Sequence, residues 1–389
     1  MKKIFTLGLM SGTSVDAIDA SLLLSEGKHD ALLLHLQFPY QAALRREILS
    51  LAQDPRLNSE ELTRLHYKIG AAFAAAAEKT IKLALKKNLL PSRKALCAIG
   101  CHGQTIYHSP AEKRTLQIGE AALVPALTGI TTVSDFRAAD TAAGGEGAPL
   151  LPYYHRRLFA SRAKAGLAVH NLGGISNFTY VGPGGVILAL DTGPANCLLD
   201  GAIQEGRSLP FDKGGALAAS GKVNPALLAF LKNHPSVAAF RRKKAPKSTG
   251  RELFSPQLLS AAVKAHPSPL PDLLRTLTEF TVDLIVDSYE REVLRHHPLK
   301  TVVIAGGGAK NAFLLSTLSA RMPAVNFCTM EDVGWNSQAL ESQAFGYFAW
   351  MALAGIPLTF PSTTGAAEAV ICGKISRAMS ARRPASTVS

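Results

Sequence analysis

The sequence predicts an α/β protein in two lobes, and three observations carry that expectation. The chain has 389 residues, whereas single hydrophobic cores stop growing at about 250–300 residues, so two domains are expected. Apolar, strand-like runs alternate along the chain with segments of helical periodicity, which is the pattern of an α/β fold. Two stretches also open alike, at 4–24 and again at 167–181: an apolar strand, a polar turn rich in Gly and Ser, and a second strand. The likeness lies in pattern more than in letters. The lobes are placed at 1–150 and 151–375, and the Ser/Arg/Ala-rich tail 376–389 is expected to be disordered.

The elements follow in order. Residues 4–10 read as the first strand, 11–16 as a tight polar turn and 18–24 as the second strand. Helical periodicity appears at about 41–53 and 58–89, and Pro91 stops the second helix because proline cannot continue it. A short strand at 95–99 runs into Cys101-His102-Gly103-Gln104, residues 119–127 read as helix, and the β-branched 130–133 as strand. Gly144-Gly145-Glu146-Gly147 marks a mobile or sharply turned loop, and a helix at 149–160 carries the chain between the lobes. Strands are then expected at 167–172, 178–181 and 186–190, with Asp191 ending the third and a helix starting near Pro194. The polar, basic, proline-containing stretch 233–256 reads as an exposed excursion. A long amphipathic helix spans 271–296, a buried strand at 301–305 ends in Gly306-Gly307-Gly308, and helices follow from Asn311 and at 337–354.

Hydrophobic residues make up 47% of the chain and charged residues 18%, which suits a well-buried globular enzyme and excludes a disordered or fibrous chain. The formal net charge is +13, much of it in runs: Arg241-Arg242-Lys243-Lys244 with Lys247, Lys86-Lys87, Arg93-Lys94 and Arg382-Arg383. Such a surface draws in nucleic acid, an acidic membrane or a small anionic substrate. The runs lack interleaved aromatics and match no nucleic-acid module, so they read as solvated faces. The five cysteines, Cys97, Cys101, Cys197, Cys328 and Cys372, form no C-x-x-C pair. That points to a reducing cytoplasm without disulfide framework or zinc site, with Cys97 and Cys101 as buried apolar thiols. Lys2-Lys3 and the apolar 4–10 imitate a signal peptide, but the run is short and gives way to Asp16 and Asp19. No apolar stretch has membrane-spanning length.

Five places offer chemistry. In Gly12-Thr13-Ser14-Val15-Asp16-Ala17-Ile18-Asp19, small residues and hydroxyls let backbone N–H groups approach a polyphosphate, although a Ser/Gly hairpin turn looks the same. It is not a Walker motif, since the G-K-[ST] ending is missing. Asn171-Leu172-Gly173-Gly174-Ile175-Ser176-Asn177 is the matching turn of the second half. Asp191-Thr192-Gly193-Pro194-Ala195-Asn196 puts a carboxylate at a strand end, where α/β sheets gather ligands, or else merely caps a helix at Pro194. Gly306-Gly307-Gly308 leaves open backbone on which an adenine can lie, or simply turns strand into helix. Arg137, in Asp135-Phe136-Arg137, either grips a substrate anion or pairs with Asp140. His102, a lone histidine after a strand, reads as structural more readily than as a metal or substrate ligand. Hydrolase triads, H-E-x-x-H and G-x-S-x-G are absent.

Taken in order, the segments resemble the anhydro-N-acetylmuramic acid kinases of the sugar kinase/actin/heat-shock-protein ATPase superfamily. The carriers are GLMSGTSVDAIDASLL, GCHGQTIYH, TLQIGEAALV, DFRAADTAAGGEGAPLLP, NLGGISN, LDTGPANCLLD, FDKGG, TGREL, VIAGGGAKN and ALESQAFGY, spread over about 8–372. The departures are Ala17 and Ala195 where the family usually has Gly, Glu146 where Gln is common and Lys310 where His is common. The resemblance implies a two-lobed actin-like, ribonuclease H-like ATPase fold with a nucleotide cleft between the lobes. It implies Asp191 as catalytic base, activating a water that opens 1,6-anhydro-N-acetylmuramic acid while O6 takes the γ-phosphate of ATP. The products are N-acetylmuramic acid 6-phosphate and ADP, as in peptidoglycan recycling. Residues 12–19, with Gly173, Gly174, Gly306 and Gly307, then bind the nucleotide, Mg²⁺ assists through ligands the sequence does not name, and Arg137 and Glu341 contact the sugar. The expected setting is cytoplasmic, with no nucleic-acid or membrane partner and a homodimer as one allowed assembly. Two other classes remain: a kinase of another amino sugar without ring cleavage, and a non-enzymatic nucleotide switch.

Overall fold

The computed structural model describes residues 2–53, 58–243, 247, 249 and 252–378. Its strands are β1 (Lys3–Ser11), β2 (Ala17–Glu26), β3 (His29–Pro39), β4 (Leu96–Ser109), β5 (Arg114–Ile118), β6 (Thr132–Ser134), β7 (Leu167–Leu172), β8 (Ile175–Val181), β9 (Ile187–Pro194), β10 (Thr301–Ala305), β11 (Asn326–Thr329) and β12 (Lys374–Ser376). The helices up to the middle of the chain are α1 (Ala42–Gln53), α2 (Ser59–Lys86), α3 (Leu123–Thr128), α4 (Ala138–Ala142), α5 (Leu151–Phe159), α6 (Cys197–Arg207) and α7 (Ala216–Ser220). They are followed by α8 (Pro225–Asn233), α9 (Pro235–Arg242), α10 (Pro256–Ala265), α11 (Leu270–Tyr289), α12 (Ala312–Arg321), α13 (Leu340–Leu353) and α14 (Pro361–Thr364).

The chain forms two compact units. One takes the chain up to residue 158 and again from 338, and the other takes 159–337. The boundary expected at 150/151 therefore lies at 158/159, and 338–375, expected in the second lobe, belongs to the first. The physical reason is α13. It is apolar on nearly every side, burying Leu340, Phe345, Phe348 and Met351 among others, so it needs a sheet to cover. It lies against β1 and β4 at their glycines: a methyl group on Gly8 would collide with the Ser342 carbonyl, and one on Gly100 with that of Phe345.

The first sheet has the order β12-β6-β4-β1-β2-β3, with β5 paired to β4. β1, β2 and β3 form an antiparallel meander, and β1–β4 and β4–β6 are parallel. The second sheet has the order β11-β10-β7-β8-β9, with β7, β8 and β9 as the meander and β7–β10 and β10–β11 parallel. The five-strand path β3-β2-β1-β4-β6 thus has the same order and directions as β9-β8-β7-β10-β11. This duplicated ribonuclease H-like topology is that of the actin-like ATPases, and the repeat read from the two strand–turn–strand openings is real.

Helix α2 starts where Asn58 accepts a hydrogen bond from the Glu61 amide at 2.9 Å, with Glu60 and Glu61 favourably placed in its first turn. It buries Ile69, Phe73 and Ala77 against Leu7, Leu9 and Leu22 of the first sheet. In the second unit, α11 is shared by two cores. Val282, Ile285 and Tyr289 pack with Ala168, Phe178 and Val302 of the sheet, while Leu274, Leu277 and Phe280 pack with Leu199, Leu227 and Leu259 of the helices α6, α8 and α10.

Several local expectations are corrected. Strand β3 was not expected; its mixed, half-buried pattern lacks the clean alternation of a strand with one solvated face. Strand β4 continues through Cys101 and His102 to Ser109, where β5 pairs with it. The described residues of 233–256 are no exposed excursion: α9 buries Val237 and Phe240, and Lys247 and Phe254 are buried as well. Lys244 lies outside the described residues, as do Arg382 and Arg383. Cys97 is exposed and Cys101 buried, and none of the five cysteines forms a disulfide among the described residues. Ser376, in the stretch expected to be disordered, ends β12, and 379–389 lie outside the described residues. Among the described residues no helix is long and apolar enough to cross a membrane.

Candidate active site

Open α/β sheets present ligand sites at the carboxyl ends of their strands, and the singled-out residues gather at such ends in each unit. In the first unit, β1 ends at buried Ser11, whose hydroxyl donates to Gln104 Oε1 at 2.7 Å, and Gln104 Nε2 donates to the Gly12 carbonyl at 3.2 Å. From the other side, Arg45 donates to the carbonyls of Val15 at 3.0 Å and Ser14 at 3.2 Å and to Asp16 Oδ1 at 3.0 Å. With these carbonyls occupied and the Val15 amide bonded to the Gly12 carbonyl at 3.1 Å, the turn offers a ligand the amides of residues 12–14 and the exposed hydroxyls of Thr13 and Ser14. The side chains of Val15 and Ile18 are in the core and Ile18 lies in the β2–β3 ladder, so these two residues shape the turn and offer a ligand little. Val15 has φ 54°, a strained conformation for a β-branched residue and the kind of strain that functional turns retain. Ala17 to Asp19 already belong to β2. Asp19 Oδ1 accepts from Gln37 Nε2 at 2.9 Å and lies 3.3 Å from His35 Nε2.

Arg137 follows β6 and is held from two sides. Its Nε donates to His102 Nε2 at 3.1 Å and its NH1 to the Gly147 carbonyl at 2.8 Å. His102 Nδ1 faces the Gly103 carbonyl at 3.0 Å, so the proton sits on Nδ1 and the Nε2 lone pair receives Arg137. Burial first, and then the Arg137 charge, holds the His102 pKa well below the usual histidine range and keeps the ring neutral. Asp140 does not pair directly with Arg137. Its carboxylate accepts from the Gly147 amide at 2.7 Å and the Thr364 hydroxyl at 2.7 Å, which makes the glycine loop sharply turned and bolted. Glu341 stands in the first turn of α13. It is exposed by area, yet surrounding protein withdraws enough water to raise its pKa, with Arg137 pulling it down and Asp19 pushing it up. Glu341 is thus in electrostatic reach of both Arg137 and Asp19.

In the second unit β7, β9 and β10 run in one direction, and three motifs meet at their carboxyl ends. The carbonyls of Gly173 and Gly174 accept from the amides of Asn196 at 3.0 Å, Ala195 at 3.0 Å and Cys197 at 3.1 Å, and Asn196 Nδ2 reaches Gly173 O at 2.7 Å. Gly306 and Gly308 lie flat on the end of β7: side chains there would strike Asn171 and Leu172. Asp191 is half-buried on β9 opposite Asn177. Its Oδ2 accepts the Thr249 amide at 2.7 Å, and its own amide donates to the Lys247 carbonyl at 3.0 Å. Two sequence expectations change here. Strand β9 does not end at Asp191 but runs to Pro194, and α6 begins only at Cys197. The helix-capping alternative for Asp191 therefore fails.

Sequence reasoning missed two participants. Thr249 was quoted only within a motif and given no role, and its neighbours Gly250 and Arg251 lie outside the described residues. His102 was set aside as structural, although its proximity to an arginine was invisible across 35 positions. The two Ala-for-Gly departures are accommodated. Neither Ala17 nor Ala195 is among the residues with positive φ, so neither position requires glycine's left-handed freedom.

A family model described as anhydro-N-acetylmuramic acid kinase matches residues 4–378. The chain belongs to the anhydro-N-acetylmuramic acid kinase family. A curated member from Pasteurella multocida (strain Pm70) is 39% identical over 378 residues, covering 95% of this chain and 96% of the relative. Members from Xanthomonas campestris pv. campestris (strain 8004) and Caldanaerobacter subterraneus subsp. tengcongensis are 40% identical over 376 residues and 39% over 391, each covering 95% of this chain and 96% of the relative. The family match runs through both units, so the turn at 12–16, the Arg137 cluster and the Asp191 cluster all lie within it.

Proposed function

We propose that the protein is an ATP-dependent kinase that hydrolytically opens 1,6-anhydro-N-acetylmuramic acid and phosphorylates its O6, giving N-acetylmuramic acid 6-phosphate and ADP. The observation that carries this reading is family membership over 4–378, with Asp191 on β9, the strand whose continuation at Ala195–Cys197 bonds the Gly173–Gly174 turn. Asp191 removes a proton from water as it attacks the anomeric carbon, and the freed O6 attacks the γ-phosphate. Glycosidases that invert ordinarily need a second carboxyl to protonate the leaving oxygen. Here phosphorus captures that oxygen, so one base suffices. The hydrogen bond from the Thr249 amide steadies the carboxylate, and the 12–19 segment, Gly173, Gly174, Gly306 and Gly307 take the nucleotide. Arg137 and Glu341 take the sugar, with Arg137 facing its anionic group.

Phosphoryl transfer depends mainly on positioning and charge neutralisation, part of which Mg²⁺ supplies when bound. Mg²⁺ uses one or two protein carboxylates and completes its shell with water and phosphate oxygens. Asp19, whose side chain is 23% exposed beside the turn, fits that need, and among the described residues there is no cluster of three ligating side chains that would make a dedicated metal cage. Five cysteines without a disulfide among the described residues and the use of ATP support a cytoplasmic setting.

The test is sugar-dependent ADP formation by the parent and by Asp191→Asn. The asparagine oxygen still accepts the Thr249 amide, so the variant should fold and bind ATP while turnover falls by about 10²–10⁴-fold, the usual worth of a general base. Early ¹⁸O incorporation from water into the anomeric hydroxyl reports ring cleavage. Turnover near the parent's in Asp191→Asn removes the base, and phosphorylation without early label makes this a kinase of an already open sugar.

A further inference from the structure

Strand β9 carries one residue more than β8 can pair. Ser176 lies opposite Gly193 and Asn177 opposite Asp191, so Thr192 has no partner in the ladder. This is a β-bulge, a device that bends a strand and re-aims the side chain beside it. In an unbroken strand neighbouring side chains alternate between faces. Here Thr192 and Gly193 are both buried while Asp191 keeps its exposed side, with its carboxylate on the Thr249 amide. Gly193 permits the bend: its φ is 147°, and a methyl group there would meet Leu284 Cδ1 at 2.8 Å.

The bulged residue is anchored by a buried polar chain. Thr192 Oγ1 is 2.5 Å from Ser176 Oγ and donates to the Ser176 carbonyl at 3.3 Å. Ser176 Oγ is 2.7 Å from His170 Nε2, and His170 Nδ1 is 2.8 Å from the Tyr289 hydroxyl. The chain therefore runs from β9 through β8 and β7 to the last residue of α11, where Tyr289 stacks on Phe178 at 4.4 Å. Thr192, Ser176, His170 and Tyr289 are all at most 1% exposed. Burial alone pushes the His170 pKa down to about 3, so the ring is a neutral donor–acceptor relay. No polar atom of the chain is left over, and such a fully satisfied network fixes geometry.

We propose that Thr192 is a positioning residue for the reaction: through Ser176, His170 and Tyr289 it holds the bulge that aims the Asp191 carboxylate. This rests on the reading of Asp191 as the base. A misplacement of about 1 Å at a reacting group lowers rates by about 10²-fold, and the effect belongs in kcat because the binding turns are untouched.

The experiment compares Thr192→Val, Thr192→Ser and Asp191→Asn in steady-state kinetics with anhydro-N-acetylmuramic acid and ATP. Valine keeps the shape and removes the hydroxyl, while the Ser176 hydroxyl keeps its hydrogen bond with His170. Thr192→Val should lose about 10–100-fold in kcat, with both KM values within about threefold of the parent. Thr192→Ser should restore most of the loss. Ser176→Ala cuts the chain at its middle link with little change in volume, and should show the same selective fall in kcat, which keeps the proposal testable if Thr192→Val folds poorly. Parental kcat in Thr192→Val or in Ser176→Ala overturns the proposal. So does a Thr192→Ser variant as slow as Thr192→Val. If Asp191→Asn itself turns over normally, the base reading has failed; if it is inactive while Thr192→Val is unaffected, only the positioning role has failed.

Discussion

His102→Leu separates a structural histidine from one that serves substrate binding. The side chain is 3% exposed, donates from Nδ1 to the Gly103 carbonyl, accepts Arg137 Nε at 3.1 Å and lies 4.6 Å from the Phe345 ring. Leucine fills comparable space against Phe345 but offers Arg137 no acceptor. Arg137 keeps its bond to the Gly147 carbonyl and loses the one on Nε, so the guanidinium plane can swing about the remaining contact. A hydrogen bond to a charged group is worth about 1.5–3 kcal/mol, and about 1.4 kcal/mol is tenfold in affinity. If Arg137 grips the anionic group of the sugar, KM for the sugar should rise by about 10–150-fold while KM for ATP stays within about threefold. The assay is ADP release in a coupled system with one substrate varied at a time. His102→Gln restores an acceptor oxygen and should recover much of the loss. An unchanged sugar KM in a folded His102→Leu variant would refute the reasoning.

Two further expectations concern stability. Burial pushes the pKa values of His155 and His170 down to about 3, against about 6.5 in the unfolded chain. The folded protein keeps both neutral while the unfolded chain binds protons below pH 6.5, so this stability is complete above pH 6.5 and is lost as the pH falls toward 3. At pH 5.5 each should cost about 1 kcal/mol relative to pH 7.5, read as a shift in urea midpoint. His155→Leu loses no hydrogen bond to a described residue, since neither ring nitrogen has a partner among them, and should flatten the pH dependence by its share; an unchanged slope contradicts the assignment. Gly100→Ala forces a methyl group into the Phe345 carbonyl and should destabilise by about 3 kcal/mol. Gly129→Ala, with open space around it and φ 70°, should cost only about 1–2 kcal/mol. Equal urea midpoints for these two variants would deny the close contact of α13 with β4.

The class of fold and the glycine turns were legible because they rest on local chemistry. Strand β1 is a continuous apolar run, α2 carries its own stop at Pro91, and the turns at 12–16 and 173–174 announce themselves by composition. What was hidden depends on distant partners. Strand β3 is half-buried through most of its length and shows no clean period. In α9 the proline and the basic run mask Val237 and Phe240, which are buried because residues of α8, α10 and α11 and Phe254 join them in one cluster. Asp191-Thr192-Gly193-Pro194 looks like a strand end, because glycine and proline signal turns; that the strand continues through a bulge is decided by its register with β8. The role of His102 needed Arg137 in space, and that of Thr249 needed an edge strand to lie beside.

The covering of the first sheet by α13 has a consequence for synthesis. The chain leaves the first unit at residue 158 and returns at 338, so the glycine faces of β1 and β4 wait for a helix that ends at Leu353. At about 5–20 residues per second, a ribosome takes roughly 10–40 s to make the intervening stretch. During that interval a nascent apolar sheet is open to solvent and to other chains, while residues 159–337 already hold everything needed to collapse. Cells that make this protein should therefore lose more of it to aggregation, or commit more chaperone to it, when translation stalls before the α13 codons than when it stalls after them.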